Sequence, residues 1–507
     1  MANWRSSPQK ILVVIGLLLG FALLPTLSGC VTGSVAPINR VLQAVGDLQP
    51  LPKKVEQEYQ RFADALRGHT VGGEEVDDQL KYFRFAFKRI RTSYVRPVDD
   101  AKLIDAAIKG MDEADVNMKG APSSLVEAAL DAVTKSLDPH SGFMNGQEFN
   151  ESFVHTKGEF GGLGIEVTMQ DGLVKVVAPI EDTPAARAGM QSGDLIVEVD
   201  GEPIKGVSLA QAVRRMRGLP GEAIDLLVRR EGLSDFKVQI IRAIIKVRAV
   251  RWQTIGNFAY IRVSRFSERV QSGIAKAFVD IRDELGAVPT GVVLDLRNNP
   301  GGLLDQSVVL ADAFLDDGAI VSVRGRSKSN NRSFLATEGD LAAGIPIIVL
   351  VNGGSASASE IVASALKHHN RAIVMGTQTF GKGSVQTIIP MPREGALRLT
   401  TALYYGADGY TIQARGVLPD ILIEPKKASV SLGRRESDLP GAIPAEKGVL
   451  EKATTPKIFV KNCPAADVSP RAGRQRKKDR MLGCALAYLA TGSKEKFLAV
   501  HGVQRQM

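Results

Sequence analysis

The sequence predicts an α/β protein with a helical N-terminal region and a small β domain inserted ahead of the α/β layer. Three observations predict it. From 251 to about 425, apolar strands (FAYIRVS, GVVLDLR, IPIIVLV, RAIVMG) alternate with amphipathic helices such as ERVQSGIAKAFVDIRDEL, the pattern of a sheet covered by helices. Between 158 and 245 the texture is short β segments parted by glycine turns. Before that, apolar residues recur at helical spacing. The 507 residues exceed one compact core, and 44% hydrophobic against 23% charged is the balance of a globular protein.

Residues 1–30 read as a leader. Arg5 and Lys10 precede the run ILVVIGLLLGFALL, no acidic residue occurs before Asp47, and Pro25 ends the run. That run is shorter than the ~20 apolar residues of a membrane-spanning helix and fits a signal peptide. The LSGC that follows resembles the bacterial lipobox. It implies acylation of Cys30, and with it a lipid anchor in a membrane on the periplasmic side of a bacterial envelope. Residues 31–75 are expected to form a tether.

Residues 76–157 are expected to be helical, with helices at 77–90, 101–111 and 123–136, the last opened by Pro122 and Ser123. In the 158–245 block, GLGIEVTM, LVKVVAPI, DLIVEVDG and AIDLLVRR read as strands and SLAQAVRRMRG as a helix. The α/β layer occupies 246–428. The extension 429–507 is polar and Pro-rich, with a basic stretch RAGRQRKKDR and a short apolar helix at 481–490. Of three cysteines, assigning Cys30 to lipid leaves Cys463 and Cys484, either bridged or as two reduced thiols. The net charge of +9 is spread along the chain, which fits a solvated basic surface facing anionic lipid or envelope polymer and not a nucleic-acid partner.

The chemistry concentrates in IPIIVLVNGGSASASEIVASALKHHN. An apolar strand, a turn of small residues and a helix present a hydroxyl at a helix N-terminus, where unpaired N–H groups favour developing negative charge. Gly353, Gly354, Ala356 and Ala358 leave room for another backbone. Alone, the segment also fits a serine N-cap. His368 lies eleven residues from Ser357, ~16 Å along a helix, beyond proton-transfer reach. No G-x-S-x-G occurs. RAIVMGTQTFGKGSVQ offers another base, Lys382 between two glycines with Gln386 four residues on. Burial beside Phe380, Val385 and Ile388 would depress its pKa; by itself Lys382 also fits a solvated turn. No H-E-x-x-H, paired C-x-x-C or Walker loop is present, so neither metal nor cofactor is expected.

Together these two segments resemble the carboxyl-terminal processing (tail-specific) protease family, whose S-A-S-A-S-E and T-F-G-K-G-x-V-Q patterns are both matched. The resemblance implies Ser357 as nucleophile, Lys382 as general base and Gln386 as its orienter. It also covers VVLDLRNNPGG, which implies an oxyanion hole from the backbone N–H groups of Gly302 and Ala358, with Gly301 the alternative to Gly302. Glu360 matches an acidic residue near the family's site, and helix capping accounts for it equally well. YVRPVDDAKLIDAAIKGM, LDPHSGFM and YTIQARGVLPDI match too, so the resemblance spans roughly 80–425. The implied fold is a crotonase-like α/β protease core.

The 158–245 block resembles a PDZ domain. FGGLGI (Phe160, Gly161, Gly162, Leu163, Gly164, Ile165) looks like the loop that holds a peptide's terminal carboxylate, and Ala212 and Met216 stand on the helix beside the peptide groove. The family implies an exported serine endopeptidase acting on proteins with apolar C-termini through an acyl-enzyme; delivery by an adaptor and self-association stay open. The rival reading, an inactive PDZ-bearing adaptor or scaffold, is opposed by the intact Ser357, Lys382 and Gln386, and a tricorn-type peptidase by the lack of propeller repeats. Departures from the pattern are an insertion of about two dozen residues before LDPHS, His368 where an aspartate is common, Ala407 where proline is common, and the cysteine-bearing extension. His140 of LDPHS is expected to be structural.

Overall fold

Strands Gly291–Asp295 and Ile347–Val351 are buried at every position, so both faces of the sheet they belong to are covered. The computed structural model describes residues 50–70, 73–118, 121–180, 182–423, 434–445, 459–460, 463–468 and 477–503. The chain divides into a unit of residues 1–52, described only from 50, and a unit of residues 53–507 that carries all elements below. Cys30 and the leader lie outside the described residues.

The main sheet runs Val250–Ile255, Phe258–Val263, Gly291–Asp295, Ile347–Val351, Ala372–Gly376, Ile421–Ile423, Phe459–Val460 and Gly502–Val503. Its centre is parallel, as the strand–helix alternation requires. Alternation along the strands divides the side chains between two faces. Ala259, Ile261, Val292, Leu294, Val349 and Val374 pack against the helices Val270–Leu285 and Ala358–His368. Tyr260, Val293, Ile348, Leu350 and Met375 pack against Leu482, Cys484, Ala485 and Phe497.

The second set comes from the extension. The boundary drawn at 428 therefore separates two parts in sequence that are one in the fold. Helix Arg480–Thr491 covers a face of the sheet, and Phe459–Val460 and Gly502–Val503 continue its edge. Leu482 and Phe497 are wholly buried, each worth ~1.5–3 kcal/mol. Cys463 and Cys484 form a disulfide with Cα atoms 5.0 Å apart.

A second sheet contains Gly142–Met144, Ala319–Gly325, Arg332–Leu335, Ser384–Pro390 and Ala396–Gly406. The helical region comprises Lys53–His69, Glu74–Ser93, Asp100–Met118 and Pro122–Leu137. Its first helix falls inside the expected tether. Residues 53–69 are not a linker because Val55, Tyr59, Phe62 and Leu66 recur at helical spacing and are buried, with the Phe62 ring stacked 3.7 Å from Phe83. The insertion before LDPHS supplies all but the last residue of the helix Pro122–Leu137.

The β domain is a sheet of Ile165–Gln170, Leu173–Pro179, Leu195–Val199, Glu202–Pro203, Ala223–Arg229 and Phe236–Ile241, closed by helix Leu209–Met216. Ser208 and Gln211 cap that helix reciprocally. The chain enters and leaves the domain on the ribbon Glu159–Gly162 paired with Ala243–Lys246.

Candidate active site

Ser357 is held in a strained turn. Strand Ile347–Val351 delivers the chain to Asn352, where Ser355 Oγ accepts from Asn352 N at 3.0 Å and donates to Leu296 O at 2.8 Å. Ser357 follows with φ 56° and ψ −115°, and helix Ala358–His368 begins at the next residue. A positive φ with a Cβ costs ~1–3 kcal/mol and persists only where the surroundings enforce it. Asn299 enforces it from the neighbouring loop, whose carbonyl accepts from Ala356 N at 3.0 Å and Ser359 Oγ at 2.9 Å. The result places the hydroxyl at the helix N-terminus without a G-x-S-x-G signature.

Glu360 ties the serine turn to the lysine loop. It is fully buried, and one oxygen accepts from Ser357 N at 2.7 Å and Lys382 N at 2.9 Å. The other accepts from Gly381 N at 2.7 Å and from the Thr379 hydroxyl. A single oxygen thus holds the backbones of Ser357 and Lys382 within its own hydrogen-bond radius. Burial pushes the carboxyl up to about 7, against the four donors, which favour its charged form. The capping account and the site-supporting account of Glu360 are the same set of bonds.

The glycines of VVLDLRNNPGG lie against the serine. A Cβ on Gly301 would meet Ser357 Cβ at 2.8 Å, and one on Gly302 would meet Phe266 O at 2.0 Å. Gly301 N donates to Asn299 Oδ1 at 2.9 Å, whereas the Gly302 and Ala358 N–H groups donate to no other described residue. Upstream, Arg297 pairs with Asp295 at 2.7 Å and with Asp479 of the extension at 2.7 Å. Burial alone would raise Asp295, but Arg297, Arg262 and Tyr260 more than offset it and hold its carboxyl below the usual range.

Lys382 is half-buried. Burial lowers its pKa from the ordinary lysine value; Glu436, Asp138 and Glu360 oppose the shift and Arg398 adds to it. No hydrogen bond joins its amine to Ser357 Oγ; the two residues meet through Glu360, and catalytic hydrogen bonds of ligand-free sites commonly tighten only with substrate. Gln386 Nε2 donates to Ser384 Oγ at 3.0 Å and Thr400 Oγ1 at 3.2 Å, and Thr400 Oγ1 donates to buried Asp138 at 3.1 Å. Its Nε2 being engaged, Oε1 is the end with which Gln386 faces any further donor. His369 Nε2 donates to Ala319 O at 2.8 Å, and His369 stands with His368 at the far end of the helix, away from Ser357.

The β-domain loop is ordered by its carbonyls. Leu163 O accepts from Ala185 N at 2.9 Å and Gly164 O from Ile180 N at 2.8 Å. Peptide planarity then turns the N–H groups of Gly164 and Ile165 the opposite way. Phe160, Gly161 and Gly162 instead belong to the ribbon strand, so they serve the domain junction. Ala212 and Met216 point into the domain core. They are 0% and 4% exposed in the domain core, because positions four apart share the inward face; Leu209 and Val213 form the partly exposed stripe beside them. Asp138, Asn299, Gln413 and Glu436 were not singled out from sequence. LDPHS, VVLDLRNNPGG and QARG flag the regions of three of them, whereas nothing flags Glu436.

Comparison with known proteins adds the following. The description Peptidase family S41 matches residues 257–423, and PDZ domain matches 175–230. A carboxy-terminal-processing protease of Bartonella bacilliformis is 48% identical over 410 residues, covering 79% of this chain and 88% of that protein. The chain belongs to peptidase family S41. The family member CtpA of Bacillus subtilis, a carboxy-terminal processing protease, is 33% identical over 350 residues, 69% of this chain and 70% of that one. A solved structure titled photosystem II D1 C-terminal processing protease is 26% identical with a TM-score of 0.42, covering 70% of this chain and 94% of that one. This S41 member is a serine-type peptidase with a PDZ domain preceding its α/β core.

Proposed function

We propose that this S41 peptidase is an exported, lipid-anchored endopeptidase that captures proteins by an apolar C-terminus and cleaves near that end. The observation that carries the proposal is the Glu360 carboxylate, which binds the backbones of both Ser357 and Lys382 and so joins a nucleophile turn to a base loop. In the reaction, the neutral Lys382 amine takes the Ser357 hydroxyl proton as Oγ attacks the scissile carbonyl carbon. The Gly302 and Ala358 N–H groups receive the oxyanion, and Gln386 Oε1 orients the amine. The C–N bond then breaks, and the Lys382 ammonium returns its proton to the leaving amine. Water, deprotonated by Lys382, hydrolyses the Ser357 ester.

Recognition falls to the PDZ domain. The N–H groups of Gly164 and Ile165 receive the α-carboxylate, and Leu209 and Val213 contact the last side chain. The lipobox-like LSGC supports acylation of Cys30 and a periplasmic location. One protein substrate with free, amidated and Asp-terminated C-termini tests recognition; the free end is cleaved at least about tenfold faster than either other form. Equal rates refute it. Ser357→Ala and Lys382→Ala each abolish cleavage with the fold intact, and a folded, active Lys382→Ala enzyme refutes the mechanism.

A further inference from the structure

Glu436 stands outside every segment that carries the family resemblance, yet the lysine loop is built around it. It belongs to the one-turn helix Glu436–Asp438 and is 1% exposed. Its backbone N donates to Phe380 O at 3.1 Å, two residues before Lys382. Its Oε1 accepts from Gln413 Nε2 at 2.8 Å, and Gln413 Oε1 accepts from Gly383 N at 2.8 Å, one residue after Lys382. The lysine is thus bracketed on both sides by one residue. The bracket is close: a Cβ on Gly383 would meet Gln413 N at 2.1 Å. The second carboxylate oxygen, Oε2, lies 2.7 Å from His140 Nε2.

We propose that Glu436 is a positioning residue for Lys382, bracketing its loop and supplying the counter-charge for the ammonium formed when the amine takes the Ser357 proton. This rests on the Ser357–Lys382 mechanism above. The other charges around the amine are less suited to the task. Glu360 is saturated by four donors, and Asp138 is spent on His140 N, Ser141 and Thr400. Arg398, on strand Ala396–Gly406, carries the same sign as the ammonium and donates to His140 O. The Asp438 carboxylate accepts from Arg435 N, and the Arg435 guanidinium donates to Arg415 O. That leaves Glu436, with two side-chain donors, as the first charge opposing the fall in lysine proton affinity that burial causes. A lysine desolvated without a counter-charge would be neutral but a weak proton acceptor, and base catalysis falls with basicity.

The test is the pH–rate profile of the full-length protein with Glu436→Gln, an isosteric change that keeps an acceptor for Gln413. Losing the negative charge lowers Lys382's proton affinity. The rising limb therefore moves about one unit toward acid while the kcat plateau falls about tenfold and KM stays within about twofold. Glu436→Asp, which keeps the charge, retains the wild-type midpoint. If Glu436→Gln is too unstable to assay, the exposed Arg398→Met variant carries the test, its rising limb moving toward alkali because the guanidinium no longer opposes the ammonium that Glu436 stabilises. Reduced activity with an unmoved midpoint means a merely structural role and overturns the proposal, as does an unchanged profile in either variant. Cleavage by Lys382→Ala would instead refute the mechanism on which the proposal rests.

Discussion

Replacing Glu360 with Gln tests whether one carboxylate holds the site together. The change keeps volume but turns one acceptor oxygen into a donor NH2. At the oxygen shared by Ser357 N and Lys382 N, an NH2 would face two fixed donors. At the other it faces Gly381 N and the Thr379 hydroxyl, which can rotate to accept. The amide therefore settles there and loses one charge-assisted bond, ~1.5–3 kcal/mol, so kcat at pH 8 falls ~10–150-fold with KM little changed. Stability gives an independent readout. The folded pKa lies above the unfolded one, from 4.5 to about 7, so the wild-type proton-linked stability is full below 4.5 and lost as pH rises through 7. The Gln side chain does not titrate. The wild-type advantage in denaturant unfolding should shrink by ~3 kcal/mol between pH 4.5 and pH 8. A stability gap that does not change with pH, or a wild-type kcat at pH 8, would refute the reasoning.

Three further outcomes are expected. Cys484→Ser opens a cross-link between residues 21 apart and lowers stability by up to ~3 kcal/mol; peptide mapping without reductant that finds two free thiols in the native protein would contradict this. Met216→Ala destabilises the PDZ domain by ~2–5 kcal/mol with little effect on substrate affinity per folded molecule, whereas Val213→Asp leaves stability nearly intact and weakens capture about tenfold; thermal melts and peptide titrations separate the two. Cys30→Ser moves the protein from the membrane to the soluble fraction or leaves it unprocessed, and an unchanged membrane fraction would count against the anchor.

The strand–helix alternation of 251–425 and the glycine-parted strands of 158–245 were legible because period and turn chemistry are local. The same locality let the spacing of Ser357 and His368 along one helix set His368 aside as a base. What sequence hid was tertiary. Whether Ala212 or Val213 faces the groove depends on how helix Leu209–Met216 is rotated over its sheet, and the motif alone does not fix that rotation. That the Gly301 N–H is engaged and the Gly302 N–H is not depends on where the Asn299 side chain points. Residues 53–69 read as tether because their mean polarity is high; only the positions of Val55, Tyr59, Phe62 and Leu66 betray the helix. Glu436 follows a change of texture at 425, and a polar segment gives no sign that one of its carboxylates is buried.

The strain at Ser357 explains why so many separate segments converge on it. A left-handed serine relaxes unless its neighbours hold it, and no single local bond in this site would offset ~1–3 kcal/mol of backbone strain with certainty. Asn299 grips the turn from one side and Glu360 from the other, and each is itself gripped: Asn299 Nδ2 by Val263 O at 2.9 Å, Glu360 by the lysine loop. The lysine loop in turn leans on Glu436, and Arg297, two residues before Asn299, leans on Asp479. Both of those outer supports come from the segment after 428. The Ser357 turn is therefore buttressed by residues 79 and 122 positions beyond it, both brought in by the extension that packs on the sheet.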